Sequence, residues 1–296
     1  MPFRETIIDP PKTDMVNEEL TEENKVKDNN SDKEWIITLT TPNKQCTVSI
    51  LALPMPLESV SLIEDHKDLL KANTSGLDLN EESLAAIDDF KSKLNEILNK
   101  SHHEVLHNAN IVTFGSKRIG TNILINKCTG QDHQKFETSI DNGFQLATLA
   151  GPLCEEPISG CAFVCLEFSV KNEALESDLF GPLSGQIVSI VKEGCRRAFQ
   201  AHPQRLMAAM YSCDINVKAE VLGKMYAVLS KRHGKIVQES MIEGSSMFTV
   251  TAHLPVIESF DFAAEIRKQT SGLAMPQLVF RYFNHVQLTL AFKVLF

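Results

Sequence analysis

The chain has 296 residues, 43% of them apolar and 23% charged, with a net charge of −9. This is globular composition, long enough for two domains that each bury a core. No stretch approaches the roughly eighteen unbroken apolar residues of a membrane span, and MPFRETIIDPPKTD lacks the apolar centre of a secretory signal.

The acidic balance argues against free nucleic acid as a general partner. It is uneven, however: Gln204 to Asn284 carries nine Lys/Arg against seven Asp/Glu, so a local basic surface toward RNA is compatible with it. Seven cysteines, an odd number set in apolar runs, read as free thiols in a reducing, cytoplasmic setting.

Residues 1–34 are polar and acidic and are expected to form a flexible lead-in. WIITLT and QCTVSILAL are β-branched runs around TPNK and predict a hairpin. In EESLAAIDDFKSKLNEIL, Leu84, Ile87, Phe90, Leu94 and Ile97 recur every three or four residues, which predicts a helix with one apolar stripe. IVTFGSKRIGTNILIN reads as a glycine-bounded loop leading into a strand, and NGFQLATLAGPLCEEP as a helix that ends at Gly-Pro. CAFVCLEFSV is a predicted strand, and GQIVSIVKEGCRRAFQA a predicted helix with Ile187, Ile190, Val191 and Cys195 on one face. No regular βαβ repeat emerges, so residues 35–202 are expected to form an α+β domain. From 203 to 284 the order is β-α-β-β-α-β, the split ferredoxin-like arrangement. Residues 285–296 are an atypical apolar tail.

SHHEVLH contains H-E-x-x-H through His103, Glu104 and His107, the spacing of a helical zinc site with a carboxylate base. Ser101 and Glu104 also form S-x-x-E, a capping box, and no third ligand or long helix follows. The cap is the preferred reading, and no metal site is expected. Cys161 and Cys165 share a strand face about 13 Å apart and read as core. GSKRIGTN has the glycine spacing of a phosphate loop but lacks the Lys after its second Gly, and a strand follows it. Two loops could approach RNA through backbone amides: Asn43-Lys44 in the first hairpin, and Gly181 to Gln186 before a helix.

FGSKRIGTNILIN and GFQLATLAGPLCEEP resemble the fourth domain of the translational GTPases elongation factor 2 and elongation factor G, and PFRET resembles the junction that precedes it. PQRLMAAMYSCDI, GKMYAVLSKRHGKIVQE and MFTVTAHLPVIESFDFAAEIRKQTSG are similar to their fifth domain. GPLSGQ stands where elongation factor 2 carries a modified His, with Gly181 at that place; it is similar instead to the elongation-factor-like GTPases of large-subunit maturation. The resemblance implies an S5-domain-2-like domain over 35–202 and a ferredoxin-like domain over 203–284. It implies partners: the large ribosomal subunit through rRNA and stalk-base proteins, the Shwachman–Bodian–Diamond syndrome protein and the anti-association initiation factor six. Contacts are expected at Asn43, Lys44, Gly181, Ser184, Gly185 and Gln186, and at Lys231, Arg232 and Lys235. GTP and Mg belong to the family's nucleotide-binding domain, so these residues alone are expected to hold no cofactor and to catalyse nothing. An elongation factor 2 fragment, a zinc hydrolase and an inert fragment are the alternatives. The family's Trp after the position of Phe280 is absent here.

Overall fold

The structure, a computed structural model, describes residues 3–9, 35–74, 81–128, 130, 132–171, 181–241, 244 and 246–285. The expectations for residues 10–34 and 286–296 fall outside them. The chain divides into two units, Glu5–Arg205 and Leu206–Phe296, the latter together with the residues before Glu5. One part of the expected lead-in is corrected. Phe3–Ile7 form a strand, β1, with Phe3, Glu5, Thr6 and Ile7 buried.

In the larger unit, β2 (Ile37–Thr40) and β3 (Cys46–Pro54) form the predicted hairpin. Helices α1 (Leu57–Asp65), α2 (Lys67–Thr74) and α3 (Glu81–Asn99) follow. Then come β4 (Ile111–Gly115), β5 (Asn122–Asn126), α4 (Asp132–Lys135), α5 (Glu137–Leu149), β6 (Cys161–Val170) and α6 (Leu183–Ala201). The sheet order is β2-β3-β6-β5-β4, antiparallel except for the parallel β5–β6 pair.

Strands buried on both faces read as continuous apolar runs, and CAFVC and ILAL are such runs. Ile140, Phe144 and Ala147 of α5 and Ile187, Val191 and Ala198 of α6 cover one face. Ile63, Leu70, Phe90, Leu94 and Leu98 of α1–α3 cover the other. The α3 stripe closes on Leu98, which is fully buried, while Ile97 is only half-buried; the side chain of Leu84 lies outside the described residues. Between Ser49 and Ile50 the partner jumps from Glu167 to Cys165. That bulge returns Phe168 to the core already holding Cys161, Phe163 and Cys165. Helices α5 and α6 cross closely at Gly143, where a Cβ would stand 2.8 Å from the Val188 carbonyl oxygen.

In the smaller unit, β7 (Gln204–Lys218), α7 (Leu222–Lys231), β8 (Lys235–Met241), β9 (Met247–Pro255), α8 (Phe262–Gln269) and β10 (Ala274–His285) follow the predicted β-α-β-β-α-β order. The antiparallel strands run β10-β7-β9-β8, and β1 also joins β7. Met225, Val228 and Leu229 of α7 and Phe262 and Ile266 of α8 pack on Cys213, Ile215, Val217, Val250, Ala252 and Leu254. Both helices therefore lie on one sheet face. Two sheets in a mixed α and β chain agree with the α+β expectation.

Three motifs of the larger unit meet at Glu5. Its buried carboxylate accepts hydrogen bonds from the amides of Leu153 (2.8 Å), Cys154 (2.7 Å) and Glu156 (3.0 Å). Its own amide donates to the Pro157 carbonyl, and its carbonyl accepts from the Ser159 amide. Gly151 is required here because a Cβ would lie 2.2 Å from Glu5 Oε2. Asn122 completes the knot, donating to the Ile158 and Gly115 carbonyls and accepting from the Cys161 amide. Charge-assisted hydrogen bonds to buried amides are among the strongest, and orphaning such donors costs about 1–3 kcal/mol each. Glu5→Ala is expected to destabilise this unit by about 3 kcal/mol or more, read as a lowered urea midpoint with an unchanged slope.

Candidate functional site

The TPNK turn is shaped by local hydrogen bonds. Thr41 Oγ1 accepts from the Cys46 amide, and Asn43 Oδ1 accepts from the Gln45 amide at 3.1 Å while its Nδ2 donates to Gln45 Oε1 at 2.7 Å. Lys44 takes a left-handed conformation (φ +58°) and is exposed at the apex. Asn43 thus shapes the turn, and Lys44 carries its charge outward.

The second loop reaches the same end of this unit. The Lys171 amide donates to the Gln45 carbonyl, placing the end of β6 beside the turn. At its far end α6 reaches His202, whose ring packs at a tilt of 40° against Trp35 with centroids 3.8 Å apart, two residues before β2 begins. Helix α6 therefore starts at the opposite end of the sheet, where Cys46 pairs with Val170. Ser184 and Gly185 are exposed there, on a first turn without a side-chain cap or an acidic residue. Such a helix start offers amides and a positive dipole end to anions. Gln186 differs from the expectation. It is buried and its Nε2 donates to the Gly181 carbonyl at 2.9 Å, so it holds the loop instead of facing outward. Lys171, exposed beside the turn, is a residue that sequence reasoning missed.

In the smaller unit the expected cations separate. Arg232 gives its Nε and Nη2 to Glu265 and its Nη1 to the carbonyls of Glu258 and Phe260. With its side chain only 17% exposed, it is an internal staple between the end of α7 and the start of α8 and not an outward ligand. Lys231 also pairs with Glu265, at 3.1 Å, but remains 74% exposed. Lys235 is exposed on the edge strand β8 and stands opposite His253. Burial, then the charges of Arg281 and Lys235, hold that imidazole below its ordinary value. Arg281, exposed on β10, is a second missed cation.

Neither reading of SHHEVLH holds in its sequence form. The segment carries one 3-10 turn, Glu104–Leu106, so His103 and His107 do not share an α-helical face. The imidazole Nε2 of His107 is instead 2.9 Å from the Ser101 carbonyl. The Ser101 hydroxyl accepts from the His103 amide at 3.3 Å, and the turn's first residue has no side-chain cap bond, so the reciprocal capping box is absent. GSKRIGTN folds onto α5: Arg118 reaches Asp141 at 2.8 Å and its amide donates to Gln145.

The staple gives a signed pH dependence. The Arg232 guanidinium and then the Lys231 ammonium hold the Glu265 carboxyl below its ordinary value. A depressed carboxyl stabilises the fold fully above the unfolded value, about 4.3, and loses that contribution as pH falls through the lower folded one. Glu265→Gln is expected to flatten acid-side thermal melting below about pH 4.5, and Arg232→Ala to lower the melting temperature more than Lys231→Ala.

The comparisons fit this geometry. A model of the family described as "Elongation factor G C-terminus" matches residues 205–293, the smaller unit. The chain is 39% identical over 370 aligned positions to human "Elongation factor-like GTPase 1", covering 96% of this chain and 33% of that protein. It is 33% identical to "Ribosome assembly protein 1" of Schizosaccharomyces pombe, over 96% of this chain and 30% of that protein. It is 35% identical to the Saccharomyces cerevisiae protein of the same name, over 82% of this chain and 24% of that one. The chain spans about a third or less of the length of these relatives. By these matches residues 205–293 carry an elongation factor G C-terminal domain, and nearly the whole chain is similar to part of the elongation-factor-like GTPases.

Proposed function

We propose that this chain is the ribosome-binding module of an elongation-factor-like GTPase acting in the cytoplasm on the large subunit. The reaction is release of the anti-association initiation factor six, with the Shwachman–Bodian–Diamond syndrome protein as partner. GTP and Mg would be handled by a part of the protein other than these residues. The larger unit is read as an S5-domain-2-like fold and the smaller as a ferredoxin-like one. The observation that carries the reading is 33% identity, over an alignment covering 96% of the chain, to a relative named as a ribosome assembly protein.

The site supports it in physical terms. Lys44, Lys171 and the uncapped start of α6 gather at one end of the larger unit, and all are suited to phosphate oxygens. Asn43, Gly181 and Gln186 fix the loops that present them. In the smaller unit, Lys231, Lys235 and Arg281 are among the exposed cations and are suited to rRNA or the stalk base, with Arg232 held inside. No described helix is long and apolar enough to cross a membrane.

Co-sedimentation of the purified chain with large subunits tests the reading. Binding is expected to weaken steeply between 50 and 200 mM salt, as phosphate contacts do. Lys44→Glu with Lys171→Glu is expected to weaken it about tenfold or more. Absence of binding, or binding indifferent to salt and to these variants, would overturn the assignment.

A further inference from the structure

The segment leaving β1 and the turn after α3 bring together three side chains that the ribosomal reading does not use. Asp9 Oδ2 lies 3.1 Å from His102 Nε2, and Asp9 Oδ1 lies 3.0 Å from His103 Nε2. The two imidazoles stand side by side with centroids 4.0 Å apart. One ligand atom from each residue falls within a common span of 4.8 Å. Ligands on a tetrahedral ion at about 2.0–2.1 Å lie roughly 3.3 Å from one another, so the spacing already approximates a coordination face.

The ligands are held before any ion arrives. Ser101 Oγ accepts from the His103 amide, the His103 carbonyl accepts from the Leu106 amide, and His107 closes on the Ser101 carbonyl. Lys127 Nζ donates to the His107 carbonyl at 2.6 Å. On the other side the Ile8 amide donates to the Pro203 carbonyl, fixing the residue before Asp9. Burial is graded, with His103 12%, Asp9 40% and His102 67% exposed, so the face opens to solvent on one side. That opening supplies an entry path and a position for water.

We infer that Asp9, His102 and His103 bind a divalent first-row transition ion, Zn2+ by the class of their ligands. Two imidazoles and a carboxylate without a thiol suit Zn2+ better than the hard, all-oxygen cations. The ion would pin the chain at Asp9 to the 101–107 turn. The site shares only His103 with the H-E-x-x-H spacing, because His107 is committed to Ser101. It stands independently of the ribosomal assignment.

The test is calorimetric titration of the metal-stripped chain with ZnCl2, with Co2+ as a spectroscopic reporter of nitrogen and oxygen ligation. One equivalent is expected to bind. Asp9→Asn, His102→Gln and His103→Gln are each expected to weaken binding at least tenfold, while the same change at His233, exposed in the smaller unit, leaves it within about twofold. His102 is exposed, so its variant remains informative if His103→Gln fails to fold. Three results would overturn the site: no saturable binding, stoichiometric binding that survives His102→Gln, or cobalt spectra showing thiolate ligation that alkylation of the cysteines abolishes.

Discussion

Glu5 is a fully buried carboxylate whose charge is matched by three backbone amides of one loop. The organisation of the larger unit follows from that match. The loop from Gly151 to Gly160 must turn from the end of α5 into the central strand β6, and the amides of Leu153, Cys154 and Glu156 turn to a side chain while it does so. Glu5 supplies the acceptors, Gly151 supplies the room, and Asn122 ties the turn to the end of β4. PFRET, FGSKRIGTN and GPLCEEP, distant in sequence, are thereby parts of one polar knot. This gives a physical reason for the motifs that carry the family resemblance: each supplies a group that the others leave unsatisfied.

The same accounting sorts the cations. Arg118, Arg196 and Arg232 spend donors on groups of the fold itself, on Asp141, on the Ala150 carbonyl, and on Glu265 with two carbonyls. Arginine suits such work because its planar fork meets several acceptors at once. The exposed charges at the loop ends and sheet edges are mainly lysines: Lys44, Lys171 and Lys235, joined by Arg281. A chain of net charge −9 thus keeps selected positive points outward while three of its arginines fasten one element to another.

Much of the fold was legible because burial imposes its period on sequence. The apolar runs of β3 and β6 announce strands covered on both faces, and the stripes of α3 and α6 announce one-sided helices. What escaped was long-range and polar. Glu5 reads as one acidic residue among many until the loop 148 residues away is seen to need its oxygens. Arg232 reads as a basic residue near a helix end until Glu265, 33 residues on, claims it. Gln186 was within reach: it precedes Ile190 by four residues on the buried stripe of α6, and its polar chemistry obscured its position. In SHHEVLH the spacing drew attention to the wrong pair, because a 3-10 turn does not keep the i, i+4 register that the motif presumes.

The central claim is that the end of the larger unit bearing the 41–45 turn and the start of α6 faces ribosomal RNA. A photo-reactive benzoylphenylalanine placed at Ser184, with a control at Lys93 on α3, tests it on purified large subunits. The account predicts crosslinks to rRNA from position 184 and none above background from position 93. Crosslinking from position 93 with none from position 184 would contradict it.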